Sequence, residues 1–479
     1  MLVMKYGGTS VGDARRVRES ARITLTKPGT NVMVVSACGG VTNLLLEAGN
    51  AAANGDDATR QRAVNAIHTK HANVLGGIGD ETIRLQTQTA IDQLHASLDA
   101  TLDDIATAQE LCAKRSDFLV SHGEKSMATM MAATLRDMGE QAVAVFTDQV
   151  LATDDRHGSA RPQPELTRER AAERILPHLQ AGETVVCTGF IGFAPDGSTT
   201  TLGRGGSDYS ATLLGAAIDA DEVQIWTDVP GMLSADPRKV STARVIPEVT
   251  YDEAQELAHF GAKVLHPRTI RPAVKAGIPV RILSTFQPTN AGTVVRPGGQ
   301  SQRIKATTAL KGLTMLTLDV PELEDLAGAS SAVFHALHEN RVEIISAQQA
   351  SSRRAMTFIL DTLASGCEVF VEKLRVSLGD LEADITCVDD IAVVAAVGEG
   401  AANTPGALAQ LLAVLSRANV PVLNSSQQSS NAAMVVVVPG DAADSAVQVV
   451  HDGLIGSART HRRSGGRRRD VLGETYRVG

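Results

Sequence analysis

The residues best placed to do chemistry in this chain sit where short apolar runs break into glycine. Leu2-Val3-Met4-Lys5-Tyr6 reads as a strand, and Gly7-Gly8-Thr9-Ser10 as the loop it opens into. Two adjacent glycines remove the Cβ atoms that would hold an anion away from the backbone, so N–H groups can turn inward on a phosphate. Lys5 adds a full positive charge beside them. Taken alone, Lys-x-Gly-Gly also fits a plain strand and tight turn. A second turn of the same make-up, Cys38-Gly39-Gly40-Val41-Thr42-Asn43, follows an apolar strand over 31–37 and carries small hydroxyl residues. A third, Thr200-Thr201-Leu202-Gly203-Arg204-Gly205-Gly206-Ser207-Asp208, opens a helix over 209–218. A helix N-terminus offers unpaired N–H groups and a positive dipole end, which suits a phosphate or carboxylate. Trp226-Thr227-Asp228-Val229-Pro230-Gly231 is a further strand end running into a turn. Neither of the first two turns fits GxGxxG or GxxxxGK[ST], so the dinucleotide fingerprint and the Walker A loop are absent there.

These turns need a frame that brings them to one edge. A strand, a glycine turn and a helix, used twice near the start, is how a doubly wound sheet presents its ligand edge. From Val41 to Met138 the pattern is almost wholly helical: Leu94, Leu98, Leu102, Ile105 and Leu111 fall mostly on one face, with Asp99, Asp103 and Asp104 on a solvated one. The helix expected over 116–135 contains Ser121-His122-Gly123-Glu124. Glycine inside a helix costs about 1 kcal/mol relative to alanine, so Gly123 signals close approach by another element. Strands are expected at 142–146, 184–191 and 222–227, with 279–286 the last of the region. Strands alternating with helices mean an α/β domain with a mainly parallel sheet.

Past residue 300 the pattern shortens and repeats. Ile344-Ile345-Ser346-Ala347-Gln348-Gln349-Ala350-Ser351-Ser352 is echoed by Val422-Leu423-Asn424-Ser425-Ser426-Gln427-Gln428-Ser429-Ser430. Each copy follows a strand and a helix (313–318 and 331–339; 391–397 and 406–418) and precedes an apolar strand (356–360; 434–438). Two β-α-β-β units result, each too small to bury much alone and expected to pair side by side.

At 479 residues, two or three domains are expected. Hydrophobic content of 43% and charged content of 21% are those of an ordinary globular protein, and a formal charge of −9 argues against a general nucleic-acid binder. A basic cluster, His461-Arg462-Arg463 and Arg467-Arg468-Arg469, sits among glycines and reads as a solvated tail. Cys38, Cys112, Cys187, Cys367 and Cys387 are scattered, odd in number and without metal-ligand spacing. They fit free thiols in a reducing compartment. The start enters its first strand with no secretory signal, and no apolar run approaches a membrane span of roughly 20 residues. A soluble, cytoplasmic protein is expected.

Taken together, the residues resemble the aspartate kinases of the amino-acid kinase family, followed by two ACT regulatory domains. The carriers, in family order, are 5–11, 36–43, 121–124, 203–208, 227–231, Asp236-Pro237-Arg238-Lys239 and Phe260-Gly261-Ala262-Lys263-Val264-Leu265-His266-Pro267. The resemblance implies a three-layer αβα domain over 1–298, ferredoxin-like ACT domains over 308–384 and 388–460, and a basic tail over 461–479 with a possible final strand. It implies transfer of the ATP γ-phosphoryl group to the side-chain carboxylate of L-aspartate, the first step towards lysine, threonine, methionine and isoleucine.

The implied roles fall on particular residues. Lys5, Gly7 and Gly8 supply positive potential where charge migrates, and Asp208 holds the lysine; read alone, Asp208 is a helix-start acid. Arg204 would take the substrate α-carboxylate and Glu124 its ammonium, with Ser36, Thr42, Phe190 and Ser207 lining the pocket. Read alone, both charges would be surface ion pairs. The nucleotide would lie over Thr227 and Asp228 with Arg238 and Lys263 toward its phosphates. Where the family often carries a tyrosine two residues after the turn glycine, Leu233 stands here. Mg²⁺ is implied with the ATP, held mostly by phosphate oxygens and water, without a dedicated protein metal site. His266 before Pro267 reads as structural.

The ACT pair implies feedback by an end product such as lysine or threonine, in a homodimer or larger assembly, with Ser330, Ser331, Phe334, Glu343 and Gln348 as the expected effector residues. Glu343 stands where lysine-sensitive relatives tend to carry aspartate. Asn403-Thr404-Pro405-Gly406 is the turn expected at the second effector loop. A kinase for another acid such as glutamate, and an amino-acid sensor without activity, are the alternatives; Lys5 and Asp208 are both retained, against the latter. No nucleic-acid or membrane partner is expected, and no dinucleotide fingerprint remains for a fused homoserine dehydrogenase.

Overall fold

A computed structural model describes residues 1–262, 265–298, 303–321, 326–350, 355–363, 366–379, 383–401, 403–427 and 431–456. Lys263, the repeat positions 351–352 and 428–430, and the basic tail from 461 lie outside the described residues. The chain divides into two compact units, Met1–Met232 with Val245–Gly299, and Leu233–Arg244 with Gln300–Gly479. The short excursion 233–244 thus departs from the unbroken 1–298 stretch expected of the first domain.

In the first unit the elements run β1 (Leu2–Tyr6), α1 (Ala14–Leu25), β2 (Asn31–Val35), α2 (Val41–Ala53), α3 (Asp57–Leu75), α4 (Glu81–Ala108), α5 (Ala113–Asp137) and β3 (Ala142–Val145). They continue with α6 (Pro164–Arg174), α7 (Leu176–Gln180), β4 (Thr184–Thr188), β5 (Ile191–Phe193), β6 (Thr199–Thr201), α8 (Gly206–Ala217), β7 (Glu222–Thr227), β8 (Glu248–Thr250), α9 (Tyr251–His259), α10 (Pro267–Ala276), β9 (Val280–Ser284) and β10 (Thr293–Arg296). Eight strands form one sheet in the order β3-β4-β2-β1-β7-β9-β10-β8, parallel throughout except at β9–β10. Every residue of β2 and β4 is buried, as expected of central parallel strands covered on both faces.

The strand period assigns the faces. Met4, Tyr6, Met33 and Val35 join the core under α1–α5, whereas Val3 and Val223 lie against Gly215 of α8. This is a three-layer αβα domain. Two strand expectations need correction. The run 184–191 breaks after Thr188, because Gly189 and Phe190 (φ 70°) swing the chain into the separate hairpin β5–β6. The run 279–286 is not the last strand: it ends at Ser284, and a tight return through Gly292 (φ 65°) brings β10 back antiparallel.

The second unit contains β11 (Ala306–Asp319), α11 (Leu326–Glu339), β12 (Ile344–Ala350), β13 (Ala355–Leu360), α12 (Gly366–Leu378), β14 (Asp384–Val397), α13 (Ala407–Arg417), β15 (Asn424–Gln427), β16 (Ala433–Pro439) and α14 (Ala443–Val450). Its sheet runs β12-β13-β11-β14-β16-β15, with every pairing antiparallel. The two repeats therefore do lie side by side, with their Ser/Gln-rich copies as the outer strands. They also exchange strands. Residues 306–311 pair with 392–397 beside β16, and 315–319 pair with 384–388 beside β13. Each long strand thus serves both modules, bending near Gly312 where the register shifts. Two cores follow, one around Leu316, Phe358 and Phe370 and one around Val394, Leu411 and Val436.

The excursion 233–244 packs into the second of these cores through Ala235 and Val240. Lys239 and Lys311 both pair with Asp444, each at 2.7 Å. Ser234 Oγ lies 2.9 Å from Nε2 of the buried His451. One cysteine expectation is overturned: Cys367 and Cys387 form a disulfide, because α12 begins directly over the first half of β14. Cys38, Cys112 and Cys187 are free.

Candidate active site

The glycine turns meet at the carboxyl ends of β1 and β2. Lys5, the fourth residue of β1, is largely buried, and its Nζ lies 2.6 Å from Asp208 Oδ1 in the first turn of α8. An ammonium held there keeps its charge aimed into the cleft while its flexible stem is fixed. The first two turns interlock: a Cβ on Gly8 would stand 3.1 Å from the Ala37 carbonyl, and one on Gly39 3.2 Å from the Gly8 carbonyl. Glycine is required here because two backbones touch.

The glycine within α5 has the same kind of cause. A Cβ on Gly123 would stand 2.8 Å from Cβ of Ala37, so its absence lets α5 press against the second turn. That contact delivers Glu124. The side chain is 3% exposed, Oε1 accepts the Ala37 N–H at 3.1 Å, and Oε2 has no hydrogen-bond partner among the described residues. Burial pushes its carboxyl up to about 8, against the smaller opposing effect of the backbone bond. A buried carboxyl with an unused oxygen, lining a cleft, has the chemistry to pair with a cation in its ionised form.

The cleft has a volume of about 510 Å³ and is lined by Lys5, Gly8, Ser36, Thr42, Glu124, Phe190, Arg204, Ser207 and Asp208 among others. Ser36 Oγ and Ser207 Oγ are 2.9 Å apart across it. The Phe190 N–H is fixed by Ser210 Oγ at 2.9 Å. Arg204 is exposed at the rim, with no side-chain hydrogen bond or ion pair among the described residues. Gly7 stands beside Lys5 Nζ, which is 3.4 Å from the position its Cβ would take. Nine residues drawn from five separate stretches thus share one cavity.

The other expected positions fall elsewhere. Thr227 and Asp228 end β7, immediately beside β1 in the sheet, and their side chains are 3.1 Å apart. Arg238 belongs to the second unit, is exposed, and pairs with Asp236 of its own turn at 2.7 Å. His266 caps α10, its Nδ1 accepting the Arg268 N–H at 3.2 Å. Leu233 opens the excursion and is half-buried. Ser330, Ser331 and Phe334 lie on α11, Glu343 precedes β12, and Gln348 within β12 opposes Thr357. Phe334 is exposed and packs edge-on against Phe358. Among the described residues no cluster of His, Cys, Asp or Glu is arranged to hold a metal ion.

Sequence reasoning missed the backbone of Ala37, which orients Glu124, and the lining residues Cys38, Gly40, Gly203 and Gly205. All lie inside the glycine turns, so the turn itself was the available signal.

Comparison with known proteins adds independent findings. The model of the amino acid kinase family matches residues 1–284, and that of the ACT domain matches 394–454. The chain is 34% identical over 461 residues to the lysine-sensitive aspartokinase 3 of Escherichia coli, covering 95% of this chain and 99% of that one. It is 31% identical to a chloroplastic bifunctional aspartokinase/homoserine dehydrogenase of Zea mays, of which it spans 50%. Escherichia coli aspartokinase III, solved with aspartate and ADP in its R-state, superposes with a TM-score of 0.78 at 31% identity, covering 95% of this chain and all of that one. The same enzyme solved with lysine and aspartate in its T-state gives 0.78 at 33% identity, covering 95% and 99%.

Proposed function

Because the chain belongs to the amino acid kinase family, we propose that the cleft described above is where it acts, and assign its residues accordingly. The activity is that of an aspartate kinase: transfer of the γ-phosphoryl group of a bound nucleotide to the side-chain carboxylate of L-aspartate, under feedback control through ACT domains. Glu124 carries the assignment of the substrate. Its buried, unpartnered oxygen calls for a cation inside a cleft that Lys5 and Asp208 also line. An amino acid with its ammonium on Glu124 and its α-carboxylate in the fork of Arg204 extends its side chain toward the lysine.

The chemistry asks for little proton transfer. A side-chain carboxylate with a reference pKa of about 3.9 is already ionised near neutrality, so no general base is needed. One carboxylate oxygen bonds to the γ-phosphorus as the bond to the β,γ-bridging oxygen breaks, giving 4-phospho-L-aspartate and ADP. The barrier lies in bringing an anion against a polyanion, in line. Lys5, held by Asp208, and the N–H groups of the Gly7-Gly8 turn offset that repulsion where charge migrates. Ser36 and Ser207, joined across the cleft, orient the carboxylate between the two glycine turns. The nucleotide is ATP accompanied by Mg²⁺, which would be held mostly by phosphate oxygens and water and would offset phosphate charge. Its ribose and phosphates lie over Thr227 and Asp228 at the end of the strand beside β1.

The regulatory ligand is an amino acid such as lysine or threonine, bound near Ser330, Ser331, Phe334, Glu343 and Gln348 in an assembly of two or more chains. The lysine-bound state of the Escherichia coli relative supports lysine first. A cytoplasmic setting fits the reading, and among the described residues no helix is long and apolar enough to cross a membrane. Trapping with hydroxylamine tests the chemistry. An acyl phosphate yields aspartyl hydroxamate in step with ADP release; ADP release without hydroxamate would reject a carboxylate acceptor.

A further inference from the structure

We propose that Asp117 is a positioning residue that sets the spacing between Glu124 and Arg204, and with it the length of amino acid the cleft accepts; the inference rests on the reading above. Asp117 lies on α5, two helical turns before Glu124. It is 3% exposed, and its carboxylate accepts four hydrogen bonds. Oδ2 takes His157 Nδ1 at 3.0 Å, the Gly158 N–H at 2.9 Å and the Thr201 N–H at 3.0 Å, while Oδ1 takes Thr201 Oγ1 at 2.6 Å.

Both sets of partners lead to Arg204. Thr201 ends β6, with only Leu202 and Gly203 between it and the arginine. Leu202 is tied back to the Phe190 carbonyl at 2.9 Å, so the far end of the same hairpin is fixed with it. The loop carrying His157 and Gly158 packs under Gly203: a Cβ there would meet the Gly158 carbonyl at 3.2 Å, and Gly203 holds φ at 75°. The Ala160 N–H closes the loop onto the Thr201 carbonyl at 2.9 Å. Arg204 itself has no side-chain partner among the described residues, so its place is set through its backbone.

One carboxylate on the helix that carries Glu124 therefore pins both supports of the loop that carries Arg204. A second, half-buried acid reinforces the tie, with Asp148 pairing with Lys125 of α5 at 2.6 Å and accepting Thr199 Oγ1 at 3.1 Å. The two recognition charges are built as one piece. Three N–H donors converge on Oδ2 and one hydroxyl on Oδ1: an asparagine keeps one acceptor oxygen for the N–H groups but replaces the other with an NH₂ group facing Thr201 Oγ1, and it removes the negative charge that strengthens all four bonds.

The test compares Asp117→Asn, Thr201→Val and Thr201→Ser in the full chain, with aspartate, glutamate and ATP varied. D117N is expected to raise KM for aspartate at least tenfold and to narrow the preference for aspartate over glutamate. kcat and KM for ATP should stay within threefold of wild type. T201V should move the same way by less, and T201S, which keeps the hydroxyl, should restore wild-type values. If D117N does not fold, the Val/Ser pair decides the question. An unchanged KM for aspartate, or equal losses for both substrates tracking a lower Tm, would overturn the positioning role. A wild type without aspartate turnover would overturn the functional reading itself.

Discussion

Replacing Glu124 by glutamine tests the site through two observables that move with pH. Unfolded, the carboxyl ionises near 4.5; in the fold it ionises near 8. Between those values the native state holds a proton that the unfolded chain has lost. Wild-type stability must therefore decline as pH rises from 4.5 to about 8, and level off above. The 3.5-unit difference at 1.36 kcal/mol per unit sets the decline at no more than about 5 kcal/mol. Glutamine has the same shape, still accepts the Ala37 N–H, and does not titrate. The stability gap between Glu124→Gln and wild type should thus shift in favour of the variant with rising pH.

Activity moves the other way. At pH 7 roughly one wild-type molecule in ten has Glu124 ionised in the empty cleft, by its pKa alone. Since an ammonium pairs with the charged form, kcat/KM for aspartate should rise through a midpoint near pH 8 and level off only above about pH 9. E124Q should lack that rise and fall about 10²- to 10³-fold below wild type at pH 8, the cost of losing one partner of a buried charge pair. The assay is steady-state ADP release across pH 6 to 9, with parallel thermal unfolding. A variant within threefold of wild type, showing the same pH dependence, would refute the assignment of Glu124 to the substrate ammonium.

Lys5→Ala should lower kcat by at least 10²-fold while leaving the fold unchanged by circular dichroism, because the ion pair with Asp208 is lost together with the charge at the reacting phosphoryl group; near-normal turnover would remove Lys5 from the mechanism. Arg204→Ala should raise KM for aspartate tenfold or more with KM for ATP unchanged, and an equal effect on both would reject a carboxylate fork there. His71 and His95, with ring nitrogens 2.8 Å apart between α3 and α4, are held down to about 3 and about 4, chiefly by burial and then by neighbouring histidines. Their neutral packing is intact above pH 6.5, and stability should fall as pH drops from 6.5 toward 4 because the unfolded chain takes up protons first. A His71→Leu/His95→Leu variant should flatten that acid limb in urea titrations, and an unchanged slope would contradict the cause.

Local chemistry was legible in the sequence; long-range partnership was not. Gly123 declared a close approach by being a glycine inside a helix, and Ala37 is what approaches it. Lys5 and the glycine turns read as an anion-binding edge because backbone contact constrains residue type. The chemistry of Asp117 gave no such sign: its partners lie 40 to 84 residues away, and an acid near a helix start is unremarkable. The strand exchange between 306–311 and 392–397 was equally hidden, since each half reads as an ordinary apolar strand whatever its neighbour. Cys367 and Cys387 looked scattered because a separation of 20 positions hides the return of β14 to the start of α12. The excursion 233–244 contains the Asp236-Pro237-Arg238-Lys239 stretch, yet its apolar contacts, Ala235 and Val240, are too few to announce a second core.

The central claim is tested most directly by coupled measurement of ADP release with ATP and either aspartate or glutamate, repeated with lysine or threonine added. The account predicts turnover with aspartate, at least 10²-fold weaker use of glutamate, and inhibition by one of the two end products. Equal use of both acids, or no turnover with either, would contradict it.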